Sequence, residues 1–270
     1  MHLVFLLSCL LACGETQPAT SPTPPEQEAP PDPPAPTLDA SQVARVLAPS
    51  PLALEAELRA AGVADSLASL VPPERFSRET TDKDVIAIRT GVRVADAVLA
   101  GRTDDKATFL TRIKSIRDGM AAIGLGAGRL SDLDDFVKKV ENDAASREDF
   151  VTELDQVSSE AVLGEGWGPT DKTGPLVQAG AWLGATDLVA RAVVQKGDPA
   201  AATALLRRAE VAEYFLQYTR QDAADKAPAP VLAALEAALN ELARIARKEQ
   251  VSIEDAKAVS AATGELFAYL

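Results

Sequence analysis

Beyond residue 39, apolar residues recur at helical spacing, and no segment alternates apolar and polar residues at strand period with β-branched enrichment. The stretch 104–123 is the clearest case. Phe109, Ile113, Ile116, Met120 and Ile123 step by four, three, four and three, the seam of an antiparallel bundle. The chain holds 50 alanines, most of them after residue 39, and alanine has the highest intrinsic helix propensity. The expected fold class is therefore all-α, a multi-helix antiparallel bundle of about eight substantial helices joined by short connections.

Punctuation residues divide this pattern. Short opening helices are expected over 39–47 and 51–61, the second with Ser50 as N-cap and Pro51 in its first turn. Residues 71–76, with Pro72 and Pro73, read as a connector. Helices follow over 82–100, capped by Thr81 and ended by Gly101, and over 104–123, capped by Thr103. Residues 124–128 read as a turn, after which Ser131 and then Ser146, with Asp149 three positions on, each open a helix. The glycine-rich stretch 163–174 is a candidate sub-boundary within a 39–270 helical domain, which would make it two packed four-helix halves. Beyond it, Pro175 opens a helix to Lys196, Asp198-Pro199 starts another, 231–248 is a third, and Ser252 caps the last. Residues 91–99 resemble 182–190 at an offset of 91, each with one aspartate, Asp96 and Asp187. Duplication of a four-helix unit would account for this, and so, more simply, would chance among Ala/Val-rich helices.

The N-terminus has another character. Residues 3–12 are apolar except for Ser8, too short a run for a membrane-spanning helix, which needs roughly 20 residues. They read as the apolar region of a signal peptide spanning 1–12. The segment before them is only Met1-His2, without the usual basic residue, which is consistent with a start codon upstream. Leu10-Leu11-Ala12-Cys13 resembles the lipobox of bacterial lipoproteins. That resemblance implies a cleaved leader, lipidation of Cys13, and a membrane held as partner through the lipid. Gly14 stands where an aspartate would signal retention in the inner membrane, so the resemblance implies the outer membrane, with the domain facing the periplasm. Residues 14–38 carry nine of the 18 prolines and no Lys or Arg. Together with Cys13 they form the 13–38 anchor and tether, extended by proline and able to reach roughly 75 Å at ~3.1 Å per residue.

The sole histidine, His2, and Cys9 both fall in the expected leader. The mature chain would then have no histidine and no free thiol, which excludes Ser-His-Asp and Cys-His catalysis, soft-ligand metal sites and internal disulfides. No cofactor, metal site or catalytic residue is expected. What survives is chemistry by Asp, Glu, Lys, Ser or Tyr, or oxygen-ligated metals. A net charge of −13 argues against nucleic acid as a partner, because phosphate is repelled.

Few candidate sites remain. The helix from Pro175 to Lys196 is apolar almost all round, so it should be central, with Trp182 buried. Asp187 lies inside its apolar stripe, with Arg191 one turn on. That pair reads either as a perturbed carboxylate in a binding cleft or, more plainly, as an intrahelical pair satisfying the core. Asp96, with Arg89 and Arg93 nearby, poses the same alternatives. Gly180 and Gly184 are spaced for close helix packing within a bundle. Trp167, between two glycines, is either a recognition anchor or a lid folded onto the core. The 168–174 loop lacks the glycine before its lysine that a phosphate loop needs, and Asp132, Asp134 and Asp135 read as acids near a helix start. The expected role is non-catalytic: a lipid-anchored envelope protein that binds another envelope protein or serves structurally. The alternatives are a carboxylate-dependent enzyme cleaving wall glycan and a small-ligand-binding helical bundle.

Overall fold

The protein is described by a computed structural model over residues 48–64, 67–73, 75–76, 78–163, 173–220 and 228–270. The expected 39–47 helix, Cys13 and Trp167 lie outside the described residues. Among the described residues there are eleven helices and no strand. They are α1 (Pro51–Ala60), α2 (Leu67–Leu70), α3 (Lys83–Ala100), α4 (Lys106–Ile123), α5 (Ala127–Glu141) and α6 (Arg147–Leu163). The rest are α7 (Thr173–Lys196), α8 (Pro199–Leu206), α9 (Ala209–Tyr218), α10 (Ala229–Ala246) and α11 (Ile253–Tyr269). The fold is all-α.

Helix starts follow capping chemistry. Ser50 Oγ accepts the Ala53 N–H at 3.2 Å, with Pro51 in the first turn as expected. Ser252 and Asp255 form a reciprocal capping box on α11. Two caps sit later than the sequence reading placed them. Asp82, not Thr81, caps α3, its Oδ1 accepting from the N–H groups of Asp84 and Val85 at 3.0 Å each. Asp105, not Thr103, caps α4 through the Thr108 N–H at 2.9 Å. In both, a carboxylate beside the first turn satisfies orphan donors and also complements the helix dipole, which a hydroxyl does not. The expected 124–128 turn is shorter than read. Gly124, at φ +96°, ends α4 in a left-handed cap, and α5 already starts at Ala127 rather than at Ser131. Likewise α7 starts at Thr173, with Pro175 in its first turn, where a missing N–H breaks no helical bond.

The centre of the molecule is the pairing of α3 with α7, the most extensive helix contact in the structure. Most of α7's circumference is buried, including Leu176, Trp182, Leu183, Val189 and Val193, as its all-round apolar sequence requires. Small residues bring the two backbones together. A methyl group at Gly180 would overlap the Ile88 carbonyl, and one at Gly91 the Val177 carbonyl. The Gly180/Gly184 spacing therefore serves close packing of α7 on α3. On one side α4 packs on α3, α5 on α4, and α6 on α3, α5 and α7; on the other, α11 packs on α7, α10 on α11 and α9 on α10. The described helices before and after 163–174 share one hydrophobic core.

Candidate functional site

Among the described residues α7 buries one carboxylate, Asp187, and four side chains satisfy it. Asp187 is 0 % exposed. Arg191, one helical turn on, places Nε 3.0 and 2.9 Å from its two oxygens. The Ser260 and Thr263 hydroxyls of α11 donate to Oδ1 at 3.0 and 3.1 Å. Arg75, from the connector after α2, donates through Nη1 to Oδ2 at 2.8 Å. Burying a carboxylate costs several kcal/mol unless it is paired and hydrogen-bonded, and this geometry meets both conditions. Arg191 is thus only part of the answer to the Asp187 charge.

Arg75 joins Asp187 to a second buried carboxylate. Its Nε lies 2.9 Å from Asp96 Oδ2, and the two side chains are 4 % and 7 % exposed. The sequence places Arg89 and Arg93 beside Asp96; the Asp96 charge does act on Arg93, but neither arginine hydrogen-bonds to it among the described residues. The Arg89 guanidinium donates to the Arg78 carbonyl, and Arg93 lies over the Phe76 ring, 5.6 Å from its centroid. Arg75 takes that place, lying between Asp96 and Asp187. Burial pushes the Asp96 carboxyl up to about 6; Arg75 and Arg112 oppose that shift, and the neighbouring Asp187 charge adds to it.

Above Asp96 opens a cleft of about 500 Å³, walled by Pro72, Pro73, Arg75 and Phe76 of the connector and by α3 and α4. Arg93, Asp96, Arg112 and Ser115 complete its lining, and Asp96 is the only acidic lining residue among the described residues. Arginines and aromatics alternate around it. Arg75 lies over the Phe267 ring at 5.0 Å, Phe267 meets Phe76 edge-on at 6.2 Å, and Arg89 shares Phe76 with Arg93. Stacking on aromatic faces holds guanidinium groups in place while leaving their N–H edges free. Arg112 is fixed differently, its Nε donating to Asp104 Oδ2 at 2.8 Å. Burial raises the Asp104 pKa, which Arg112 partly offsets.

Sequence reasoning missed Arg75 and Arg112 altogether, and took Arg93 only as a neighbour of Asp96. The available signal was Arg75-Phe76 one residue beyond Pro72-Pro73, after Glu74: a cation and an aromatic side by side in a proline-marked connector. The acidic group near the start of α5 does not assemble. Asp134 pairs with Arg117 and Asp135 with Lys138, each at 2.8 Å, and Asp132 approaches Arg129 at 3.7 Å. Among the described residues no His, Cys, Asp or Glu cluster forms that would hold a metal ion, and no helix is long and apolar enough to cross a membrane. Compared with known proteins, the chain matches no family model, no curated protein and no solved structure.

Proposed function

We propose that the chain is a non-catalytic binding protein of the bacterial envelope, lipidated at Cys13 and held off the outer membrane on its 13–38 tether, with the cleft over Asp96 as its recognition site. The observation that carries the non-catalytic part is the saturation of Asp187 by Arg75, Arg191, Ser260 and Thr263. A glycan-cleaving enzyme with two carboxylates needs both of them facing one opening, roughly 5–10 Å apart. Among the described residues Asp96 is the only carboxylate that lines the cleft, and Asp187 is sealed behind Arg75. The envelope location rests on the lipobox resemblance and the proline-rich spacer, and an envelope protein or a small envelope ligand is the matching partner.

Two measurements test this reading. Cells producing the Cys13→Ala protein should show no fatty-acid label on it and should release it into the soluble fraction. Unchanged detergent partitioning of that variant would sink the anchor. The full chain, purified in a non-ionic detergent, should release no reducing ends from isolated wall glycan. Release that disappears in Asp96→Asn would establish the enzyme instead.

A further inference from the structure

We propose that the cleft between the 72–76 connector, α3 and α4 is an oxyanion site for a small hydroxylated ligand bearing a carboxylate or phosphate group. This inference rests on reading the cleft as a binding site and names what it binds. The hydrogen-bonding inventory of the lining points there. Arg93 is half-buried, lines the cleft and has its plane fixed by Phe76; the Asp96 and Asp118 charges act on it, but it makes no hydrogen bond and no ion pair within 4 Å among the described residues. Arg75 Nη2 is buried without a partner. Arg112 holds Asp104 through Nε and Nη2, and its Nη1 makes no hydrogen bond among the described residues. The Ser115 hydroxyl also makes no hydrogen bond among the described residues.

Donors thus converge from the connector and from both helices. Thr108 and Thr111 spend their hydroxyl protons on Asp105 and the Ala107 carbonyl, so they add no donor. Among the described lining residues the buried acceptor without a partner is Asp96 Oδ1. An orphaned buried donor is costly, so a cleft that keeps unpaired guanidinium N–H groups beside an unpaired carboxylate oxygen is incomplete by itself. A planar or tetrahedral oxyanion satisfies the guanidinium fork, as arginine geometry favours. A hydroxyl next to that oxyanion donates to Asp96 Oδ1. The overall charge of −13 repels anions from the surface at large, so capture depends on these local cations.

The test is titration calorimetry on the full chain in non-ionic detergent, with gluconate, glucose 6-phosphate and glucose as probes. Gluconate and glucose 6-phosphate separate the carboxylate from the phosphate source, and glucose keeps the hydroxyls without the charge. We expect saturable binding of one charged probe, with glucose weaker by at least about tenfold. Arg93→Gln should lower that affinity by about tenfold or more, Arg93→Lys by less, because it keeps the charge and loses the fork. Failure of both charged probes to saturate by roughly 10 mM, equal binding of glucose, or unchanged affinity in Arg93→Gln overturns the proposal. If Arg93→Gln lowers the melting temperature, Ser115→Ala, on the opposite wall, takes its place with the same reading. A protein that is acylated and does not cleave glycan, yet binds no charged probe, defeats this inference alone.

Discussion

Asp96 and Asp187, 91 positions apart on the two central helices, are bridged by one guanidinium: Arg75 reaches Asp96 Oδ2 at 2.9 Å and Asp187 Oδ2 at 2.8 Å. They are also the two aspartates of the internally similar segments 91–99 and 182–190. Two carboxylates held this way need the cation between them. Their mutual repulsion, unrelieved, would act where solvent screening is weak.

Removing that cation should therefore be costly. Arg75→Met is expected to lower unfolding stability by about 3–5 kcal/mol in urea denaturation, the scale for breaking a buried ion pair from one side. In an Asp96→Asn background the same substitution should cost clearly less, because one of the two charges is already gone. Equal losses in both backgrounds would show that Arg75 acts through packing on Phe267 alone.

Asp96 also predicts a pH dependence. Its folded pKa of about 6 lies above the unfolded value of roughly 3.9, so the folded state holds the proton more tightly. The resulting stability is fully present below about pH 4 and is lost as pH rises through 6, a change of about 3 kcal/mol. Asp104 and Asp155, whose pKa values burial also raises, work in the same direction. Asp255 works in the opposite sense. The Lys248 ammonium and its cap to Ser252 hold it down to about 2, so its contribution is present above pH 4 and fades as pH falls through 2. Denaturation midpoints between pH 4 and 7 should flatten in Asp96→Asn, and an unaltered slope would remove Asp96 as the titrating group.

Two glycine substitutions should have opposite signs. Gly180→Ala places a methyl group against the Ile88 carbonyl and should destabilise by about 1–3 kcal/mol, despite alanine's better helix propensity. Gly264 lies in α11 with open space at its Cβ position, so Gly264→Ala should stabilise by about 0.5–1 kcal/mol. Thermal melts of the two variants check this directly, and a stable Gly180→Ala protein would mean that α3 and α7 do not approach so closely.

Trp182 is buried on α7, with its ring 5.6 Å from that of Phe215. Trp182→Ala should cost about 3–5 kcal/mol through the cavity it leaves. A variant that melts like the parent protein would place this indole at the surface.

The all-α class, the central place of α7 and the caps at Ser50 and Ser252 could be read from the sequence, because each depends on residues within a few turns of one another. The Asp187–Arg191 pair was legible for the same reason, being one helical turn apart. The choice of Asp82 over Thr81 was not. Adjacent residues both had capping chemistry, and backbone conformation at the helix start decided between them. The site itself belonged wholly to the tertiary structure. Arg75 is 112 residues from Asp187 and sits in a connector with no periodicity to show which way it points. Sequence determined that this chain would bury aspartates in apolar helices. Only the approach of α3 to α7, permitted by Gly91 and Gly180, brought the two carboxylates close enough to share one cation, and left Arg93, Arg112 and Ser115 around the opening above it.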